Sequence, residues 1–307
     1  MISVIMSTYK ESVEYINKAI QSILRQTYAD IELIIVVDDP DNIDAINLIE
    51  NLAQDDSRIK LLINEENKGL VFSLNRALLK ANGKYIARMD ADDFSHIDRL
   101  ETEIKHLELH NYDLVGSFTD YINMDGIKSG GGFQDVTIAD NLPKLLKYEN
   151  CVPHPTWLAK KELYDFLKGY RQIPYSEDYD FLLRAMQHGA SLSIIKKTLL
   201  DYRINDNGIS KLNSYKQALA TNYLSSNRHI INQITSEDVI NIINKYDNET
   251  QERRYFIGME KLKSASNSLK DGKYFEALGN MIYSYFVSHV SRHKLLNLLR
   301  KYITAWR

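Results

Sequence analysis

Apolar residues along the first hundred positions fall into two alternating spacings. Continuous runs at residues 2–6 (ISVIM), 31–37, 59–63 and 84–89 have the length and β-branched content of strands. Between the first two, Val13, Ile16, Ala19, Ile20, Ile23 and Leu24 recur at steps of three and four, which is the spacing of one helix face. Further helices are predicted from about Leu70 to Lys80 and from Ile97 to Leu109, with a strand at Leu114 to Ser117. This alternation predicts a mostly parallel sheet covered by helices. The 31–37 run is apolar almost throughout and so reads as a central strand buried on both faces. Beyond Leu100 the pattern loosens, and after the strand at Leu114 to Ser117 comes a Gly-rich stretch, Ser129-Gly130-Gly131-Gly132, which reads as a mobile lid. After about residue 211 only helical spacing remains. The chain is therefore expected to divide into an α/β domain at 1–210 and a helical region at 211–307.

The ends of the predicted strands carry polar groups. Ser7 to Glu11 follow the first, Asp38-Asp39-Pro40 the second, and Asp90-Ala91-Asp92-Asp93 the fourth. In open α/β sheets ligands collect beyond the carboxyl ends of the strands, where loops and helix N-termini converge, so these three segments would face one cleft if their strands are neighbours.

Composition narrows the classes. With 307 residues, 44% hydrophobic and 26% charged, the chain has ample apolar content for a core and is not a low-complexity sequence. A formal charge of −3 provides no global field for a polyanion, so nucleic acid is not an expected partner. One cysteine, Cys151, excludes an intrachain disulfide framework and suits a cytoplasmic setting. MISVIM is too short for a secretory apolar region, and the uncharged stretch from Ala277 to Ser291 is too short and polar to span a bilayer.

Two acidic motifs could carry chemistry. Asp90-Ala91-Asp92 sets two hard carboxylates after an apolar strand, which suits Mg2+ or Mn2+ that also keeps phosphate oxygens as ligands; an isolated DxD is more often an ordinary solvated turn, because the tripeptide is common by chance. Ser176-Glu177-Asp178-Tyr179-Asp180 opens a helix, where Ser and acids favour the N-terminus, yet a carboxylate fixed there is also a sound general base. No G-x-G-x-x-G follows the first strand and no G-x-x-x-x-G-K-[ST] occurs, so both dinucleotide and P-loop phosphate signatures are missing.

Taken in order, SVIMSTYKE, SILRQTY, DIELIIVVDDPDN, NKGL, SLNRAL, ANGKYIARMDADD, HPT, GYR and SEDYDFLLRAMQHG resemble glycosyltransferase family 2 over roughly residues 1–205. The resemblance implies the GT-A fold, a Rossmann-like α/β arrangement, and inverting transfer from a nucleotide sugar, with UDP the expected nucleotide and Mn2+ or Mg2+ the cofactor. It places Ser7, Thr8, Tyr9 and Glu11 at the nucleoside end. Asp38 falls at the uracil-reading position, with Asp39 open to the same role, and Asn67 and Lys68 lie at the ribose or phosphate turn. Asp90, Ala91 and Asp92 match the DxD, Asp92 as the stronger metal ligand and Asp90 nearer the ribose. Asp178 matches the catalytic base with Glu177 beside it, and His154, Trp157 and Arg203 fall on the acceptor side. Ser7 and Lys10 stand where the family often has Pro and Asn, and Asn205 where it often has His.

The acceptor implied is a glycan or lipid-linked glycan of cell-surface polysaccharide, which would put the protein in the cytoplasm or at the inner membrane face. From Ala277 onward every charged side chain is basic, and Leu295, Leu296, Leu298, Leu299, Tyr302, Ile303 and Trp306 are interspersed with them. This segment is expected either to lie on an anionic membrane or to pack in a bundle or homo-oligomer. A non-catalytic sugar-binding module of the same fold is the competing reading.

Overall fold

The computed structural model describes residues 1–204 and 213–305; Asn205, Trp306, Arg307 and the expected boundary at 210 lie outside them. Eight strands form one mixed sheet: β1 (Ile2–Thr8), β2 (Ile31–Val37), β3 (Ile59–Ile63), β4 (Tyr85–Asp90), β5 (Phe94–Ser95), β6 (Leu114–Ile122), β7 (Leu158–Lys160) and β8 (Leu192–Arg203). Their spatial order is β3-β2-β1-β4-β7-β6-β8-β5. The first four are parallel, as the alternation predicts, and β1 is flanked by β2 and β4. β7 runs antiparallel to both β4 and β6, which leaves β4, β6 and β8 with their carboxyl ends on one rim. This is the GT-A architecture, with a helical region following it in sequence.

β2 is buried along its whole length, as its apolar run requires of a strand covered on both faces. Glu32, the charged exception, accepts from Ser3 Oγ (2.5 Å), Lys60 Nζ (2.5 Å) and the Asn82 backbone N–H (2.6 Å), tying β1, β2 and β3 to the loop before β4. Burial alone would raise its pKa, but these donors outweigh burial and hold the carboxyl down to about 2.

Helix Val13–Leu24 starts on Ser12, whose side chain accepts from Tyr15 N–H, and buries Ile16, Ala19, Ile20 and Ile23. A helix at Ile43–Asp55 adds to the expected elements: Asn42 caps it, and Ala45, Ile46 and Ile49 form its buried face. β6 runs five residues past the expected end at Ser117. Beyond it, the Gly-rich stretch is tied to the β6 edge, since Thr119 N–H donates to Phe133 C=O and Tyr121 N–H to Gly131 C=O. Gly132 is required there: a Cβ would sit 2.0 Å from the Thr119 carbonyl oxygen.

By internal packing the chain forms two units. The first holds Met1–Leu142, Cys151–Gln172 and the chain from Arg184 through β8; the second holds Pro143–Asn150, Ile173–Leu183 and the helices from Ser214 onward. Packing thus groups the Ser176–Asp180 motif with the helical unit, because Tyr179 Oη donates to Leu146 C=O (2.9 Å) and the Ser176 hydroxyl meets that of Thr221 (3.1 Å). The helices of this unit are Ser214–Ser226, Ser236–Tyr246, Glu249–Lys270, Tyr274–Val287 and His289–Ala305. Among the described residues no helix is long and apolar enough to cross a membrane.

Candidate active site

The strand order brings the three acid-bearing ends together: Ser7 pairs in register with both Val36 and Asp90, and Thr8 with Val37. After β1 the chain turns sharply. Glu11 Oε2 accepts from Thr8 Oγ1 (2.6 Å) and from Tyr9 N–H (2.5 Å), and Lys10 between them adopts φ +67°. That is the left-handed region, which Asn tolerates better than Lys. The family's usual Asn therefore suits the turn, and this chain carries the strain on a lysine.

The two acids after β2 have different surroundings. Asp38 is buried; its Oδ1 accepts from Asn64 Nδ2 (2.6 Å) and Lys68 N–H (2.9 Å), and its Oδ2 from Gly69 N–H (2.8 Å). The carboxylate thereby caps helix Leu70–Leu78, whose N-cap Gly69 has no side chain to do so and sits at φ +85°. Asp39 is only partly buried, and its charge contributes, after Tyr9, to the raised pKa of Lys10, so Asp39 lies toward the β1 turn. Asn67 and Lys68 are exposed; Asn67 Oδ1 accepts from Gly69 N–H (3.0 Å) and Lys68 pairs with Glu66.

At the end of β4 the acids crowd. Arg88, buried within the strand, pairs with Asp90, and although burial opposes its charge, Asp90 more than offsets this and raises its pKa. Burial, then the charges of Asp90 and Glu11, push the Asp92 carboxyl up to about 7. Burial, with Asp90 and Asp92, also drives the fully enclosed Asp93 well above its ordinary value. Ala91 between them is buried.

Arg203 straps this turn in place. Its backbone N–H donates to Asp93 Oδ1 (2.8 Å), its Nε to Asp92 C=O (2.7 Å) and its Nη1 to the carbonyls of Asn123 and Met124 (2.7 and 3.0 Å), while the guanidinium stacks 4.4 Å above Tyr15. The guanidinium thus holds the acidic turn and is committed to backbone oxygens. Motif reading includes Arg88 and Asp93 in ANGKYIARMDADD without giving them a role and puts Arg203 on the acceptor side, so the bonds from Arg203 to this turn are missed; the lone arginine inside the apolar YIARM run is the signal that could have marked Arg88 as the partner of Asp90.

His154 and Trp157 are interior groups. His154 Nε2 lies 2.7 Å from Tyr170 Oη, its ring packs edge-on against Trp157, and burial followed by Arg88 lowers its pKa far below the usual imidazole value. Trp157 has no exposed surface and donates its indole N–H to Val152 C=O (3.2 Å).

In the second unit, Asp178 sits in the first turn of helix Glu177–Gln187, with Glu177 before it. Asp178 Oδ2 accepts from Asn150 Nδ2 (2.6 Å) and Oδ1 from Tyr179 N–H (2.7 Å), which fixes the carboxylate's direction. Tyr175, just upstream, adopts φ +62°, a strained conformation for a bulky residue.

Comparison with known proteins decides the family. The description Glycosyl transferase family 2 matches residues 3–163. The chain belongs to that family. Among relatives of this family-2 transferase, an uncharacterized glycosyltransferase of Methanocaldococcus jannaschii is 35% identical over 219 residues, covering 70% of this chain and 76% of the relative. The O-antigen biosynthesis glycosyltransferase WbnJ of Escherichia coli is 33% identical over 215 residues, covering 69% and 82%. Of solved structures, S. aureus TarS in complex with UDP superposes with a TM-score of 0.57 at 15% identity, covering 93% of this chain and 90% of that one. The mannosyltransferase PcManGT of Pyrobaculum calidifontis, in complex with GDP-Man and Mn2+, gives 0.59 at 14% identity, covering 93% and 87%. At such identity these two establish the shared fold.

Proposed function

We propose that this family-2 glycosyltransferase is a metal-dependent inverting enzyme that moves a sugar from a UDP donor to a glycan or lipid-linked glycan in surface polysaccharide synthesis. The observation that carries the reading is the crowding of Glu11, Asp90 and Asp92 at the ends of neighbouring strands β1 and β4, where like charges and burial raise the Asp92 carboxyl. The two DxD carboxylates, Asp90 and Asp92, are hard oxygen donors of the kind a divalent cation takes, and its charge would relieve the repulsion. Among the described residues no three His, Cys, Asp or Glu side chains form a ready-made metal cage, so the protein's share of the shell is partial, with Asp92 its principal donor and Asp90 its second. When bound, the metal would neutralise charge growing on the leaving diphosphate.

The other roles belong to the chain's own groups. TarS carries UDP and PcManGT GDP-Man, so this fold admits either base and the choice rests on local side chains. Asp38 is committed to Asn64, Lys68 and Gly69, which favours Asp39 as the acid that accepts a hydrogen bond from the uracil N–H. Ser7, Thr8, Tyr9 and Glu11 shape the nucleoside end, and the exposed Asn67 and Lys68 serve the ribose or phosphate side. Asp178, its direction set by Asn150 and the Tyr179 N–H, takes the proton of the acceptor hydroxyl as that oxygen attacks the anomeric carbon, and Glu177 orients the acceptor. One displacement inverts the centre. A lipid-linked acceptor would meet the donor at the inner face of the cell membrane, where we place the enzyme.

The test is Asp178→Asn. Transfer should fall by roughly 100-fold or more, the scale of general-base loss, while calorimetry shows UDP-sugar binding in Mn2+ unchanged. Wild-type turnover in this variant would remove Asp178 from its role, and no transfer by the wild type to any acceptor would favour a sugar-binding module.

A further inference from the structure

Helix Tyr274–Val287 is packed inside out. Its buried residues are Ala277 and Ser284, both small, whereas Phe275, Leu278, Ile282 and Phe286 are 94%, 55%, 51% and 74% exposed. Steps of three and four put these four on one outward stripe, with Tyr274 and Tyr283 exposed beside it. The inward face is as closely fitted as the outward face is bare. In the neighbouring helix Glu249–Lys270, a Cβ on Gly258 would meet Ser291 Oγ at 2.3 Å and Val287 Cγ1 at 3.1 Å. An amphipathic helix of a soluble bundle does the reverse, turning its large apolar residues inward. The following helix, His289–Ala305, adds exposed Leu299, Tyr302 and Ile303, although it buries Leu295. The bare surface therefore lies mainly on the helix that opens the segment expected from sequence to meet a membrane, rather than on the basic helix that follows it.

Charge identifies what covers it. From Lys261 to Ala305 there are eight Lys or Arg against two acids, Asp271 and Glu276, in a chain whose net charge is −3. Cations border the aromatic residues: Lys261 Nζ lies 5.5 Å over the Tyr283 ring and the Arg292 guanidinium 4.7 Å over Tyr285. A second copy would bring two such positive faces together, which costs energy, whereas anionic headgroups meet lysines beside tyrosines and leave the phenylalanines to the acyl boundary. At 14 residues the helix is too short to span, so it lies in the interface.

We propose that the outward face of helix Tyr274–Val287, with Phe275 and Phe286 as its anchors, docks this protein on an anionic lipid bilayer. This concerns the partner of the helical unit and stands apart from the donor and base assignments, because vesicle binding requires no transfer. The full chain is sedimented with phosphatidylcholine vesicles made with and without phosphatidylglycerol, at low and high salt. Wild type should pellet with the phosphatidylglycerol vesicles and less so in high salt. The Phe275→Ser/Phe286→Ser variant should bind at least about ten-fold more weakly with unchanged Tm, since both rings already face water. Lys261→Gln/Lys273→Gln should weaken the preference for phosphatidylglycerol. The proposal is overturned if wild type stays in the supernatant with both vesicles, if the phenylalanine variant pellets like wild type, or if light scattering finds a dimer that this variant converts to monomer.

Discussion

The rim of the sheet and the outer face of helix Tyr274–Val287 use burial in opposite ways. At the rim, polar groups are taken inside: Asp38 and Arg203 are almost fully enclosed and answered by specific donors and acceptors, and the equally enclosed Asp93 accepts at Oδ1 from the Arg203 backbone N–H while its Oδ2 has no hydrogen-bond partner among the described residues. On the helix, phenylalanines and leucine are left largely outside, Phe286 touching only the edge of the adjacent Tyr285 ring among the described aromatic contacts. A buried carboxylate that caps a helix is part of the fold, and removing it leaves its donors unpaired. An exposed phenylalanine contributes almost nothing to the fold, so its role lies in what it touches outside. Substitutions in the two regions should therefore separate stability from association.

The largest loss is expected at Asp38. Asp38→Ala leaves the N–H groups of Lys68 and Gly69 and the Asn64 amide without their acceptor, and should cost about 2–4 kcal/mol in urea unfolding. A loss under about 0.5 kcal/mol would mean that the carboxylate is not structural and would return the base-reading role to it.

Glu32→Gln comes next, at about 1–3 kcal/mol near neutral pH. Because the folded pKa of Glu32 is held at about 2, below the ordinary value of 4.5, its contribution is complete above about pH 5 and lost as pH falls toward 2. The gap in stability between wild type and variant should thus close over that acid range, and a gap constant down to pH 2 would refute the assignment.

Asp39→Asn should leave Tm unchanged within error while weakening UDP binding about ten-fold, the scale of one lost hydrogen bond to a charged group. Equal weakening of UDP and GDP would show that this residue does not read the base. The smallest change in stability belongs to Phe275→Ser/Phe286→Ser, under about 0.5 kcal/mol. A substantial drop in Tm there would break the contrast between the regions.

Legibility in the sequence followed the same divide. β2 and β3 could be bounded to the residue because an apolar run between polar turns has one economical conformation, a strand buried in a sheet. Asp90, Asp92, Glu177 and Asp178 are the residues that motif order nominates for the proposed site, and their roles rest on the experiments above. Which of Asp38 and Asp39 is spent on the fold was not legible, because adjacent residues point to opposite sides of an extended chain and a one-residue shift exchanges their roles. Arg203 matched the family by position, but its bonds reach Asp92 and Asp93 from more than a hundred residues away, a distance that local pattern does not cross.

What this sequence settled alone was the alternation of strand and helix, the placing of acids at strand ends and the excess of cations in the last fifty residues, since each is local and needs only periodicity and side-chain chemistry. Only the tertiary structure decided which strands are neighbours, which acids are consumed by the fold and which helix face stays bare. Each of those depends on what packs against a residue. A helix's apolar spacing is the same whether its large side chains or its small ones turn inward, and the choice is made by the partner helix whose Gly258 admits Ser291 and Val287 so closely.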